Sequence, residues 1–547
     1  MKHKISKILG IGLTAGLIFG LIGALFAAPA SADLMEWGIV NTPSWEDIVI
    51  LPASDILDYD IGGDGDIVYA VLESNYDCNG VGGVYGDHPA ALVKSEDGGK
   101  TWTDITNNVK DATNLPDEPG DHWVSFVAVS VAPDDEDWVA VAGYQCGTGD
   151  PWVVASQDGG SNFSYAGDIV DGAVAMDYIY DLDVSIEVDD IHNIALAGMT
   201  DKAAGTGRGA VFRLKAGTWL TGAWEDTSDA TDYLGWDSGV TALTEGVVAV
   251  VFSLNFDLDD TIVCFGIDDS EGGVNGEAFL QSGIWESGGG SWNDQAGFPS
   301  AVKIASDGDT LLTGIYNRSI GLALPDDYDG SDPGARVIYV YVNAFNDTTK
   351  LVGGFLMRVD NGSLSEPYGP SGEPLLASID FHGDADTGKM MIGEYVQWDN
   401  DAPDEGLPIE AECCAGVRVW HTVELDPCCP DWELACKNPS GPYLALIMYT
   451  PNGEKQYATT SGTMDDEFFI GFPEDSSVPF VGSVGTPLDE SAFSVSRDDA
   501  VSFNQLSLID TDIDYLSDVA VCPESRPVFT GSLQRRPYWV DIEKSPS

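Results

Sequence analysis

Ser95-Glu96-Asp97-Gly98-Gly99-Lys100-Thr101-Trp102 is the stretch whose reading decides the fold. It is a short polar turn between two apolar runs. Gly98 and Gly99 supply the positive φ that a tight reversal needs, and the Ser and Asp side chains offer oxygens to nearby backbone N–H groups. Thr101 and Trp102 restart a strand, the indole anchoring one edge of the sheet. The same turn returns 61 residues later as Ser156-Gln157-Asp158-Gly159-Gly160-Ser161-Asn162-Phe163. A worn copy, Ser496-Arg497-Asp498-Asp499-Ala500-Val501-Ser502-Phe503, keeps Ser, Asp and an aromatic residue at the same offsets.

This S-x-D-G-G-x-T-W pattern resembles the Asp-box (BNR) repeat of sialidases, of some glycoside hydrolases and of many secreted non-enzymatic proteins. The resemblance implies a β-propeller of four-stranded blades, with each box in the peripheral turn between a blade's third and fourth strands. It makes Ser95, Asp97, Gly98, Gly99, Thr101, Trp102, Ser156, Asp158, Gly159, Gly160, Phe163, Ser496, Asp498 and Phe503 structural residues, and none of them catalytic.

Outward from the boxes, short runs rich in Val, Ile, Tyr and Phe alternate with Gly, Asp, Asn and Pro clusters, the pattern of an all-β repeat fold. Gly288-Gly289-Gly290-Ser291-Trp292, Asp360-Asn361-Gly362-Ser363 and Gly217-Thr218-Trp219 are fainter echoes of the turn. The turns recur at intervals of about 55 to 75 residues, a blade length. Eight paired apolar runs read as inner strands: 56–71, 124–142, 180–197, 247–265, 320–342, 379–395, 468–481 and 516–529. Eight blades are therefore favoured, with seven the alternative if the Cys-rich segment 398–440 is an insertion or loop. The last blade is expected to close with strands from both termini, Trp37–Val40 (with Ser44-Trp45) beside Tyr538–Val540, which removes an open sheet edge.

Lys2, Lys4 and Lys7, an apolar run over 8–27 and Ala30-Ser31-Ala32 read as a secretory leader ending at residue 32, leaving 33–547 as the propeller. A retained membrane anchor is the competing reading. The formal net charge of −66 excludes a nucleic-acid partner, because phosphate binding needs a basic face. Acidic loops keep a secreted protein soluble or suit a salty medium; alternatively Ca²⁺ neutralises some of them, with Asp64, Asp66, Asp257 and Asp259 as the weak candidates, although Asp is also an ordinary turn former. No other cofactor is indicated.

Nine cysteines in an exported chain point to disulfides. Five of them, Cys413, Cys414, Cys428, Cys429 and Cys436, fall within 24 residues and are the candidates for local crosslinks.

A sialidase needs three arginines converging on a substrate carboxylate. No Arg precedes Arg208, and nothing resembles that family's Arg-Ile-Pro stretch. A glycoside hydrolase needs only two suitably spaced carboxylates, which so acidic a chain always offers. The leading expectation is a secreted, non-catalytic propeller at the cell surface or envelope, resembling surface-layer Asp-box proteins and self-associating or binding envelope components. The rivals are an extracellular glycoside hydrolase or carbohydrate-binding propeller using the central mouth, and an assembly factor for a membrane complex.

Overall fold

In a computed structural model the described residues run from 56 to 511, less 64, 73–90, 114–123, 146–148, 201–207, 217–222, 229–232, 238–245, 269–276, 287–288, 303–304, 307–308, 311–319, 346–351, 366–367, 371–373, 396–416, 426–429, 440–443 and 462–489, together with 44–45 and 48–49. They form seven antiparallel sheets of four or five strands, each built from one continuous part of the chain. The inner strands of the seven blades are Ile56–Gly62, Val124–Ala132, Val174–Val184, Gly246–Phe252, Ile320–Ala323, Leu376–His382 and Leu444–Tyr449. Each blade then steps outward strand by strand; blade one, for example, continues through Ile67–Leu72, Ala91–Ser95 and Thr103–Asp104.

Both faces of a blade pack against neighbours, so the middle strands are apolar throughout. His192–Thr200 is buried at every position, and Ile67–Leu72 at every position but the first. The core is correspondingly divided into apolar clusters, one at each blade interface. The inner strands touch one another in sequence around the ring, and blade seven touches blade one.

That last contact replaces the expected eighth blade. Tyr59 of blade one donates its hydroxyl to the carbonyls of Leu446 (3.3 Å) and Tyr457 (3.2 Å) in blade seven. Tyr457 in turn donates to Gly65 O at 2.9 Å. Phe493 packs edge-on against Trp102 and Tyr59, with ring centroids 5.3 and 5.7 Å apart. Blades one and seven are thus direct neighbours, which leaves no place for another sheet between them. The eighth pair, 516–529, and the terminal pairing of Trp37–Val40 with Tyr538–Val540 lie outside the described residues, as does residues 1–32. Ser44–Trp45, expected to join that pairing, forms a small hairpin with Ile48–Val49.

The seventh inner strand is Leu444–Tyr449, which the paired runs did not include; the 468–481 run lies outside the described residues. The Cys-rich segment is no simple insertion either: Val419–Glu424 and Asp431–Leu434 are the outer half of blade six. Among the described residues there is no disulfide. Cys436, expected in a crosslink, is an exposed free thiol, and Cys264 is a buried one; Cys413, Cys414, Cys428 and Cys429 lie outside the described residues. No described helix is long and apolar enough to cross a membrane.

The three boxes share one geometry and lie between the third and fourth strands of blades one, two and seven. Ser95 Oγ receives Gly99 N–H at 2.8 Å and donates to Asp97 Oδ1 at 3.0 Å. Asp97 then receives the N–H groups of Lys100 (3.0 Å) and Thr101 (2.8 Å) and the Thr101 hydroxyl (2.8 Å). Ser156 and Asp158 repeat this with Gly160 and Asn162, and Ser496 and Asp498 with Ala500 and Ser502. Burial pushes the three Asp carboxyls upward, but these donors outweigh it and hold all three below the ordinary range. The glycines are dispensable to the hydrogen bonds: Asp499 and Ala500 take φ of 59° and 63° in the worn copy.

Each box is wedged against the preceding blade. Trp102 belongs to the cluster between blades seven and one, Phe163 to that between one and two, and Phe503 to that between six and seven. Gly99 has φ of 82°, and a Cβ there would overlap the Phe493 ring. At Gly160 (φ 80°) the nearest obstacle is the end of the Ile105 side chain, 2.8 Å from the added carbon. Gly99→Ala is expected to lower unfolding free energy by roughly 3 kcal/mol or more, combining positive-φ strain with overpacking, and Gly160→Ala by about 1–2 kcal/mol. Urea denaturation of the two variants checks the order; equal losses would contradict the wedge.

Candidate functional site at the ring axis

The innermost strand of a propeller blade has an open edge, whose N–H groups need acceptors. Here the preceding blade supplies them. Asp58 and Asp60, on the inner strand of blade one, accept from Val129 N–H (3.0 Å) and Val131 N–H (2.6 Å) of blade two. Asp181 and Asp183 of blade three accept from Val250 (2.8 Å) and Phe252 (2.6 Å) of blade four. Ser378 and Asp380 of blade six accept from Ile447 (3.1 Å) and Tyr449 (2.5 Å) of blade seven. In each strand that carries the acceptors a β-bulge comes just before the first of the pair, at 56–58, 179–181 and 376–378, fixing the same register three times.

The interfaces between these three are clamped further out, turn to turn. Asp134 of blade two receives Glu187 N–H of blade three at 2.9 Å and meets His192 Nε2 at 3.2 Å. Asp259 of blade four receives Gly330 N–H at 2.8 Å, and Asp326 and Asp327 of blade five receive Gly383 (2.9 Å) and Ala385 (2.8 Å). Six of the seven interfaces therefore carry a carboxylate clamp. The seam between blades seven and one uses tyrosine hydroxyls and the Lys455–Asp66 pair (2.8 Å).

The inner-strand carboxylates form the candidate site because those of three different blades interact: Asp380 acts on Asp60, and Asp60 on Asp183. The residues are half-buried, and burial is the largest cause of their raised pKa. Burial first, then the charges of Asp58 and Asp380, push Asp60 up to about 7 against the pull of its two N–H donors, Ile61 and Val131. Burial, with a contribution from Asp326, pushes Asp380 up to about 7 as well, against Tyr449 and Phe381 N–H. Asp183 is raised well above its ordinary value by burial and by Asp181 and Asp60. The described inner strands contain no Lys or Arg to offset them.

The sequence-based candidates fall elsewhere. The box residues sit at the periphery, away from the axis. Asp66 is paired with Lys455, which lowers its pKa; Asp259 Oδ1 and Oδ2 receive Thr261 and Gly330 N–H; Asp257 is exposed on a single helical turn; Asp64 lies outside the described residues. Among the described residues no three His, Cys, Asp or Glu side chains gather closely enough to hold a metal ion. Three of the described arginines are also engaged: Arg213 donates to Asn193 Oδ1 over the Trp285 ring, Arg358 reaches Asp360 and Asp386, and Arg418 pairs with Glu394. The axial aspartates escaped the sequence reading, although Asp58-Tyr59-Asp60 and Asp181-Leu182-Asp183 interrupt apolar runs with an i, i+2 carboxylate pair that turn chemistry does not explain.

Fold and turns together define a seven-bladed β-propeller with box-type turns. No protein-family model matches the sequence, and no curated protein matches it. Among solved structures it is similar to a xyloglucanase from Xanthomonas campestris (15% identity, 84% of this chain and 61% of that one, TM-score 0.43). It is also similar to the β-propeller domain of the Trilobed protease from Pyrococcus furiosus (9%, 84% and 97%, TM-score 0.40) and to an α-L-arabinanase from Penicillium chrysogenum (11%, 84% and 98%, TM-score 0.38). The chain thus spans about three fifths of the xyloglucanase.

Replacing Asp259 by Ala leaves two buried N–H groups without acceptors, an expected loss of about 2–3 kcal/mol, whereas Asp257→Ala on the exposed side of the same turn is expected within about 0.5 kcal/mol of wild type. Chemical denaturation of both variants checks this.

Proposed function

We propose that this chain is an extracellular carbohydrate-active propeller whose sugar ligand meets the axial carboxylates. The supporting observation is the pair Asp60 and Asp380, on the inner strands that flank blade seven. Each is held near pKa 7, and Asp380 contributes to the shift of Asp60. On this reading one of the two is the proton donor and the other the base or nucleophile of glycoside cleavage. A carboxylate oxygen that accepts one N–H keeps a second acceptor direction, so the clamps leave room for sugar hydroxyls. A neutral sugar fits this anionic wall, and an acidic one is repelled.

The test is incubation of the full chain at pH 6–7 with neutral oligosaccharides, xyloglucan and arabinan fragments included, reading reducing ends and binding heat. Release of reducing ends is expected, with kcat reduced at least about 100-fold in Asp60→Asn and Asp380→Asn variants that still fold. Neither cleavage nor binding by wild type would overturn the reading.

A second reading, a non-catalytic propeller of the cell envelope, is favoured by the engagement of both oxygens of Asp60 by backbone donors at 2.6 and 2.7 Å. Its signature is abundance in the envelope fraction with release of the protein by a chelator.

A further inference from the structure

The segment that joins the first two strands of blade four, Ser253-Leu254-Asn255-Phe256-Asp257-Leu258-Asp259-Asp260, contains a single helical turn over Phe256–Asp259. Phe256 is buried and packs edge-on against Phe252 and Trp285. Residues four apart share one face of such a turn, and Leu254 and Leu258 occupy the other face, 40% and 79% exposed. Leu234, 68% exposed, is tied to the same aromatic group: its carbonyl receives Trp292 N–H at 2.8 Å, and the Trp292 ring packs on Trp285 and Trp236. These are three of the five large apolar side chains left exposed among the described residues. A lone exposed leucine is ordinary, whereas a group of them above one core marks a contact surface.

The patch is preorganised. Asp259 accepts Thr261 N–H (2.9 Å) and Gly330 N–H (2.8 Å), and Asn255 Nδ2 donates to Tyr328 O at 2.7 Å, which fixes the turn with its leucines outward. Its rim is anionic. Asp257 stands between the leucines. Glu187, Asp189 and Asp190 are exposed on the neighbouring turn of blade three, whose Ile186 and Val188 pack into the cluster that holds Phe256. Asp327 and Asp332 are exposed on the turn of blade five that carries Tyr328 and Gly330. Cations do not balance them: among the described residues of blades three to five, Arg213, Arg336 and Arg358 are buried, Arg208 is paired with Asp226, and Lys215 alone is an exposed cation.

We propose that this face of blades three to five docks a basic amphipathic polypeptide segment, its apolar side chains on Leu254, Leu258 and Leu234 and its Lys or Arg side chains on the surrounding carboxylates. Charge complementarity selects that occupant. A second copy would bring the same carboxylates against these, and an anionic membrane surface is repelled for the same reason. The inference does not depend on whether a sugar binds at the axis.

Calorimetric titration of the full chain with a synthetic Leu/Lys helical peptide tests it, beside a Ser/Lys peptide of equal charge and a Leu/Glu peptide of equal apolarity. The Leu/Lys peptide is expected to bind at least about tenfold more tightly than Ser/Lys and to weaken as salt is raised, and Leu/Glu is expected not to bind. A Leu254→Ser, Leu258→Ser double variant should lose at least about tenfold in affinity for Leu/Lys. Val170→Ser, an exposed position at the far end of blade three's inner strand, should lose nothing. Should the double variant show a lowered thermal midpoint, Leu258→Ser alone, at the most exposed of the three leucines, carries the same expectation of weakened binding. No binding of Leu/Lys, equal affinity for Leu/Lys and Ser/Lys, indifference to the leucine replacements, or binding of Leu/Glu would each overturn the proposal. So would self-association, or attachment to zwitterionic vesicles, that the leucine replacements abolish.

Discussion

A sheet edge that faces a narrow axis must find acceptors for its outward N–H groups, and everything distinctive about this propeller follows from how it does so. Water at the axis would serve, but it would leave the blades held together by apolar packing alone. Here carboxyl groups from one blade reach the edge of the next, and each such bond is worth about 0.5–3 kcal/mol, the upper end when the carboxyl group is ionised. The ring closes where Leu444–Tyr449 meets Ile56–Gly62.

Two sets of contacts therefore cross the interfaces in opposite senses. The aspartate clamps reach forward from a blade to its successor, while the boxes of blades one, two and seven reach back with Trp102, Phe163 and Phe503. At the seam between blades seven and one the backward contact is joined by the tyrosine hydroxyls and the Lys455–Asp66 pair. Part of the extreme acidity is thus structural. Asp60, Asp134, Asp183, Asp259, Asp326 and Asp380 are acceptors for backbone, whereas an acidic residue such as Asp257 is exposed to water.

The sequence made the repeat unit legible because the box is local: its Ser, Asp and aromatic positions act within eight residues, so their spacing survives in the one-dimensional string. Inner strands were legible for the first six blades for the same reason, being continuous apolar runs. The blade count failed where locality failed. Leu444–Tyr449 is identified as the seventh inner strand by its contact with Tyr59, more than 380 residues away. The axial site was hidden for a related reason. In a chain with 90 acidic residues, Asp60 is conspicuous only once the backbone of Val131 is seen opposite it.

The claim that carboxylate-to-backbone clamps hold the ring is tested most directly by native-state amide hydrogen exchange at the clamped positions. Val131, Phe252, Gly330, Gly383 and Tyr449 are expected to exchange as slowly as the amides at the centre of His192–Thr200, opening only with global unfolding. Exchange of those amides at rates typical of an exposed sheet edge would contradict the account, since it would mean that the carboxylates sit beside the edge without holding it.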